Sequence, residues 1–173
     1  IDLIDRVAKK HDIYHHVDAT WGGGALFTSE PGIKGIHLAD SVSFDAHKAI
    51  GSGVTCAFFI TKHTGVLRDV NAVSANYIKG EVPEHAKYDT LELSHQCGRR
   101  ADVVGFYFQL RAIGVVGVSR RIEQFYTSTQ YMKNQIIKRE GLSMLQSSYL
   151  NTCFQVISPI QTISTNELTE QVH

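Results

Sequence analysis

Residues 40–53 read DSVSFDAHKAIGSG. Ser41 to Asp45 alternates polar and apolar residues, the period of a strand with one buried face. The run stops at a carboxylate, and His47, Lys48 and a glycine-flecked turn follow at once. A lysine ordinarily reaches for water, yet this one stands at the mouth of what reads as a buried sheet. Upstream, IYHHVD (13–18) reads as a strand ending at Asp18, and WGGGALF (21–27) as a tight turn with close backbone packing. Downstream, GVTCAFFITK (53–62) is apolar almost throughout and reads as a buried strand. At the N-terminus Ile1, Ile4, Val7 and Ala8 share one helical face, with Lys9, Lys10 and His11 near the helix end. Helical and strand periods that alternate in this way predict an α/β domain with a largely parallel sheet.

Composition narrows the function. Seventeen Lys and Arg balance 17 Asp and Glu, which argues against nucleic acid as the main partner. No apolar run approaches the roughly 18 residues that span a bilayer, so no membrane role is expected. The N-terminal segment lacks the apolar core and cleavage site of a secretory signal. Cys56, Cys97 and Cys153 are odd in number and widely spaced, which fits neither a disulfide framework nor a zinc site. A reducing, cytoplasmic location is expected. His15 and His16 are adjacent in a strand and face opposite sides, so they do not form a shared metal site, and no metal is expected.

Periodicity lapses over 74–96, a polar stretch broken by Gly80 and Pro83. A segment of that length is characteristic of functional loops or of disorder. Helical pattern returns near Arg99, and beyond AIGVVG (112–117) a second helix carries Val118, Ile122, Phe125, Thr129, Met132 and Ile136 on one stripe, read as a core face. Arg99, Arg100, Arg120 and Arg121 are most simply surface charges. LSMLQSS (142–148) and TCFQVIS (152–158) read as strands, and STNELTEQVH (164–173) begins like a helix.

The chemistry concentrates in Asp18 and Lys48, thirty residues apart, each closing a predicted strand. Ligands gather at that edge of open α/β sheets. Taken singly, Asp18 is a turn carboxylate and Lys48 a snorkelling lysine. Together they suit a pyridoxal phosphate site, in which a lysine amine binds the aldehyde and a carboxylate keeps the pyridine nitrogen protonated. The lysine would then be a nucleophile rather than a surface charge.

The strings HVDATWGGG (16–24), DSVSFDAHKAIG (40–51), YDTLELSHQCGRRADVVGFYFQLRAIGVVG (88–117) and NTCFQV (151–156) resemble, in order, the group II pyridoxal-phosphate amino-acid decarboxylases. The glutamate and cysteine-sulfinate branch is the most similar. The resemblance implies the C-terminal part of a fold-type I (aspartate-aminotransferase-like) large domain over 1–115, and the start of a small C-terminal α/β domain over 116–173. It implies that Lys48 forms the Schiff base, that Asp18 partners the pyridine nitrogen, that Ala19 packs against the ring face, and that His47 lies close to the cofactor. Tyr77, in SANYIKG, matches a mobile-loop tyrosine implied to protonate the substrate carbon after carbon dioxide leaves. Cys97, in QCGRR, falls in a segment bordering the site. A small amino-acid substrate, an acidic one, and a homodimer are implied as well. The chain reads DAHK where many animal members read NPHK, and DATW where DAAW is usual. Nothing in it matches the family's earlier half, with its phosphate-holding segment and cofactor-stacking histidine, or the later Ser-Leu-Arg stretch. The resemblance therefore implies a middle-to-late slice of about a third of a protomer, inactive alone; the alternatives are a truncated product that binds a full-length partner, or another fold-type I enzyme.

Overall fold

A computed structural model describes residues 1–29, 32–72, 92–96 and 98–157. Three helices and five strands occur among them in the order α1 (Asp2–Lys10), β1 (His16–Asp18), β2 (Ser41–Asp45), β3 (Ala57–Thr61), α2 (Val66–Asn71), α3 (Asp102–Lys138), β4 (Leu142–Ser148) and β5 (Asn151–Val156). A 3₁₀ helix, Gly22–Phe27, occupies the glycine turn after β1, and a shorter one covers Ile36–Leu38.

β1, β2 and β3 form one sheet in that order. β1 and β2 are parallel, with His16 opposite Ser41 and Asp18 opposite Ser43. β3 is antiparallel to β2, Ala57 lying opposite Asp45. The expectation of a largely parallel sheet is thus corrected at β3. The segment between Asp45 and Ala57 is taken up by a turn rather than by the helix that a parallel crossover uses. β3 is also not buried throughout: Phe59 and Ile60 are 48% and 55% exposed, while Phe58 stacks on Phe44 at 4.9 Å and meets Phe106 at 5.0 Å. Only one of its faces meets the core.

That core joins both halves of the chain. Ala19, Phe44, Ala46, Ala49, Ile50, Cys56, Phe106, Val118 and Ile122 form one buried cluster, with Tyr149 and Leu150 packed against it. The glycine run supplies the close approach. A methyl on Gly23 would fall 2.5 Å from Phe44 Cβ, and one on Gly24 would fall 2.7 Å from Ile122 Cδ1. Gly22 has nothing within 4 Å, so its neighbours alone carry the packing requirement.

Two amphipathic readings change in the structure. In α1 the inward residues are Asp5 and Ala8, whereas Leu3, Ile4 and Val7 are exposed. Asp5 accepts from Lys9 Nζ of the same helix at 2.8 Å and lies 3.8 Å from His15 Nδ1. In α3 Val118, Ile122 and Ile136 are buried as expected, but Phe125 and Met132 are each 45% exposed. The stripe is longer than the neighbouring surface available to cover it. The break expected at AIGVVG is present at Gly114 (φ 67°, ψ 172°), a positive-φ, extended conformation that glycine adopts without steric cost.

α3 is long and apolar enough, by length and composition, to cross a membrane. Core helices of soluble proteins satisfy the same test. Its apolar run is interrupted by polar residues such as Gln109 and Arg111.

β4 and β5 form a separate antiparallel hairpin, with a register shift between Met144 and Gln146. Its two-residue turn places Tyr149 at φ 47°. Arg121 departs from the surface-charge reading. Its Nη1 passes over Gly51 and donates to the Ile50 carbonyl at 2.9 Å, and Gln109 Nε2 donates to the same carbonyl at 2.9 Å. The turn after Lys48 is therefore pinned from both sides of the Gly114 break.

Candidate active site

Strand alternation sorts the sheet into two faces. Val17, Val42, Phe44 and Phe58 lie on the core side. His16, Asp18, Ser41, Ser43 and Asp45 occupy the other. Because β1 and β2 are parallel, Asp18 and Asp45 both end their strands at the same edge. The ladder continues a little beyond it: Ala19 N–H donates to Ser43 O at 2.8 Å, and Asp45 N–H to Thr20 O at 3.3 Å.

Asp18 is fixed by one of its two oxygens. Oδ1 accepts the Thr20 backbone N–H at 2.9 Å, the Thr20 hydroxyl, and the Ser43 hydroxyl at 3.2 Å. Oδ2 has no hydrogen bond among the described residues. The Thr20 hydroxyl and then its backbone N–H hold the Asp18 carboxyl below its ordinary value, with Ser43 adding to them and desolvation opposing. Behind Asp18 the polar row continues. His16 lies with Nδ1 2.7 Å from Ser41 Oγ and Nε2 3.3 Å from Ser43 Oγ, its ring stacked on Phe59 at 5.7 Å.

Lys48 belongs to the turn that follows β2, where its backbone N–H donates to Asp45 O at 3.3 Å. Its amine returns to the same residue, Nζ lying 3.1 Å from Asp45 Oδ2. The turn thus folds Lys48 back onto the edge, and the face, that carry Asp18. His47 is anchored through Nδ1, which sits 3.1 Å from Cys56 N and 2.9 Å from Cys56 O. Its Nε2 is left 3.6 Å from Asp45 Oδ2.

The structure therefore places Asp18, His47 and Lys48 at one sheet edge. It places the Ala19 side chain differently, in the buried cluster with Phe44; the neighbouring Thr20 is the residue whose side chain joins Asp18. Tyr77 and Cys97 lie outside the described residues. His15 and His16 face opposite ways, His15 buried near Asp5 and His16 against Ser41.

Sequence reasoning passed over Thr20, Ser43, His16 and Asp45 as site residues. Signals for them exist. Thr20 stands two residues after an Asp, the spacing of an Asx turn, and His16 and Ser43 follow from strand alternation once Asp18 is placed on a face. Asp45 stands three residues before Lys48, within reach across a single turn.

This constellation fits a pyridoxal group. A carboxylate held in its charged form keeps one oxygen uncommitted for a ring N–H, and a primary amine approaches from the same edge. The hydroxyls and the imidazole behind Asp18 keep that oxygen oriented without occupying it.

Comparison with known proteins agrees. The pyridoxal-dependent decarboxylase conserved domain matches residues 1–157. The acidic amino acid decarboxylase GADL1 of Xenopus tropicalis is 36% identical over 164 residues, covering 92% of this chain and 32% of its own length. Cysteine sulfinic acid decarboxylase of Mus musculus is 32% identical, covering 92% and 33%. The chain thus spans about a third of the curated relatives it matches. The crystal structure of mouse CSAD superposes with a TM-score of 0.82 at 31% identity, over 91% of this chain and 33% of that one. The Catharanthus roseus tryptophan decarboxylase structure shares the fold, with a TM-score of 0.82 at 18% identity over 99% of this chain and 35% of that one. The parallel β1–β2 edge and the domain match across residues 1–157 lead to one conclusion: this chain belongs to the pyridoxal-dependent decarboxylase family, whose cofactor is pyridoxal phosphate.

Proposed function

We propose that the protein containing this chain removes the α-carboxylate of an amino acid, and that the substrate is acidic: glutamate, cysteine sulfinate or aspartate. One observation carries the reading. Two parallel strands and the turn after β2 bring an acid, one of whose oxygens has no hydrogen bond among the described residues, and a lysine amine to one edge of the sheet. Pyridoxal phosphate, when bound, supplies the electron-withdrawing ring that makes loss of carbon dioxide feasible. The residues of this chain bind and orient. Lys48 supplies the amine for the cofactor aldehyde. Asp18, one oxygen held by Thr20 and Ser43, would hold the pyridine nitrogen of the cofactor in its protonated form. His47, tied to the Cys56 backbone, forms a fixed wall beside the amine. Tyr77 delivers the proton to the substrate carbon in this reading, a role that rests on its match to the family loop. The acidic preference rests on the names of the relatives.

The large domain is proposed to end near residue 115, at the Gly114 break, and the small domain to begin there. A cytoplasmic location is retained as part of the proposal. A homodimer is favoured by the exposed apolar residues of α1 and α3, among them Leu3, Ile4, Val104 and Phe108, which call for more protein surface than the described residues supply. The same residues favour the second reading, in which the 173-residue chain is inactive alone and docks on a full-length partner.

The test is titration of the chain with pyridoxal phosphate, followed by the absorbance of the imine it forms with an amine. The band is expected in wild type and absent in Lys48→Ala. An identical band in both would remove Lys48 from the site.

A further inference from the structure

Asp45 has no part in the reading above, yet its carboxylate lies against the proposed nucleophile. Its Oδ2 lies 3.1 Å from Lys48 Nζ. The pair is partly withdrawn from solvent, the Asp45 side chain being 15% exposed and that of Lys48 33%. Solvent therefore screens it less than a pair on the open surface. The geometry is built rather than incidental. Asp45 closes β2, where it pairs with Ala57, and its N–H is bonded to Thr20 O. The turn beyond is tied at three points: Lys48 N–H to Asp45 O at 3.3 Å, Gly51 N–H to Lys48 O at 2.9 Å, and Ser52 N–H to Ala46 O at 2.8 Å. Both backbones are thus held while the side chains meet. The oxygen that faces Lys48 is also the one that faces His47 Nε2 at 3.6 Å, and His47 cannot swing away without giving up Cys56.

We propose that Asp45 is a positioning residue for Lys48: it parks the amine against the sheet edge on the side of Asp18 and restrains its reactivity until the ion pair opens. Opening the pair releases the amine toward a ligand lying over the edge. The inference deepens the reading of Lys48 as the cofactor amine and rests on it.

The test separates the two. The 173-residue chain, without cofactor, is trace-labelled with acetic anhydride at neutral pH, and acetylation of Lys48 is read by mass spectrometry against Lys34 and Lys133 as internal references. Asp45→Asn keeps the shape and removes the charge. It is expected to raise Lys48 labelling about threefold while leaving the references unchanged, the size expected for loss of a partly screened ion pair. Asp45→Glu keeps the charge and is expected to stay within about twofold of wild type. Equal Lys48 labelling in wild type and Asp45→Asn would overturn the proposal. Should Asp45→Asn label every lysine faster, as an unfolded chain would, Asp45→Glu decides: slow labelling supports the proposal and fast labelling overturns it. Pyridoxal phosphate is added in a separate arm to wild type and Lys48→Ala. An identical imine band there would overturn the cofactor reading of Lys48 while leaving the labelling result to judge Asp45.

Discussion

The hydroxyl of Ser43 donates to Oδ1 of Asp18 at 3.2 Å, across the parallel pair that sets these two residues opposite each other. Thr20 donates twice to the same oxygen, so the carboxylate is saturated on one side and open on the other. Removing a donor to a carboxylate disfavours its charged form. In Thr20→Val the Asp18 carboxyl is expected to titrate closer to its ordinary value of 3.8, and in Ser43→Ala to move the same way by less, following the order of their contributions. Carbon-detected NMR titration of the Asp18 side chain checks both. Unchanged titration in Thr20→Val would mean that the hydroxyl does not hold Asp18.

Gly23 faces Phe44 Cβ, which is the rigid root of a buried side chain and cannot swing aside. Gly23→Ala is expected to destabilise the fold by about 1–3 kcal/mol, as overpacking of a closed core does. Gly22→Ala, with open space around it, is expected to change little. Urea denaturation of the two variants, one residue apart, gives the comparison.

Arg121 and Gln109 both donate to the Ile50 carbonyl, one from each side of the Gly114 break. Either truncation to Ala leaves that buried carbonyl one partner and is expected to cost about 1–2 kcal/mol. Removing both leaves it none among the described residues. The double variant is therefore expected to lose more than the two single losses together, a coupling that a double-mutant cycle measures.

Tyr149 directs its hydroxyl toward Gly24, and the oxygen finds no hydrogen-bond partner among the described residues. Burial pushes the phenol up to about 12. Tyr149→Phe keeps the ring on the core cluster and removes an unsatisfied polar atom. It is expected to be neutral or stabilising by about 1 kcal/mol, read from the urea midpoint.

Among the described residues three carboxylates are held below their ordinary value: Asp5 chiefly by the Lys9 amine, Asp18 chiefly by the Thr20 hydroxyl, and Asp40 chiefly by the His15 backbone N–H. A carboxylate depressed in this way binds fewer protons folded than unfolded. Its contribution is therefore fully present above the ordinary value of 3.8 and is lost as pH falls through the lower folded values. Stability is expected to drop progressively below about pH 4. In Asp40→Asn that drop should be shallower than in wild type; an unchanged acid limb in thermal melts would exclude Asp40 as a contributor.

The local sequence determined more of this protein than its packing. Alternation at Ser41–Asp45 marked β2, the run to Asp18 marked the end of β1, and AIGVVG marked the break at Gly114, because each depends on backbone preferences within a few residues. Asp18 and Lys48 were legible as a pair for the same reason, Asp18 closing β1 and Lys48 standing in the turn just after β2. What the tertiary structure decided was direction and partnership. β3 runs antiparallel because a turn, not a helix, returns the chain to β2, and no residue type states that choice. The apolar stripe of α1 faces outward while Asp5 and Ala8 turn inward, Asp5 lying beside the buried His15. Ala19 entered the core and Thr20 took Asp18 because the ladder continues past β1 to Ser43 and Asp45. Arg121 became a strut because the turn after Lys48 left a buried carbonyl 71 residues earlier in the chain to be satisfied. Hydrogen bonds and ion pairs between distant segments depend on which backbones are brought together, and periodicity carries no record of that.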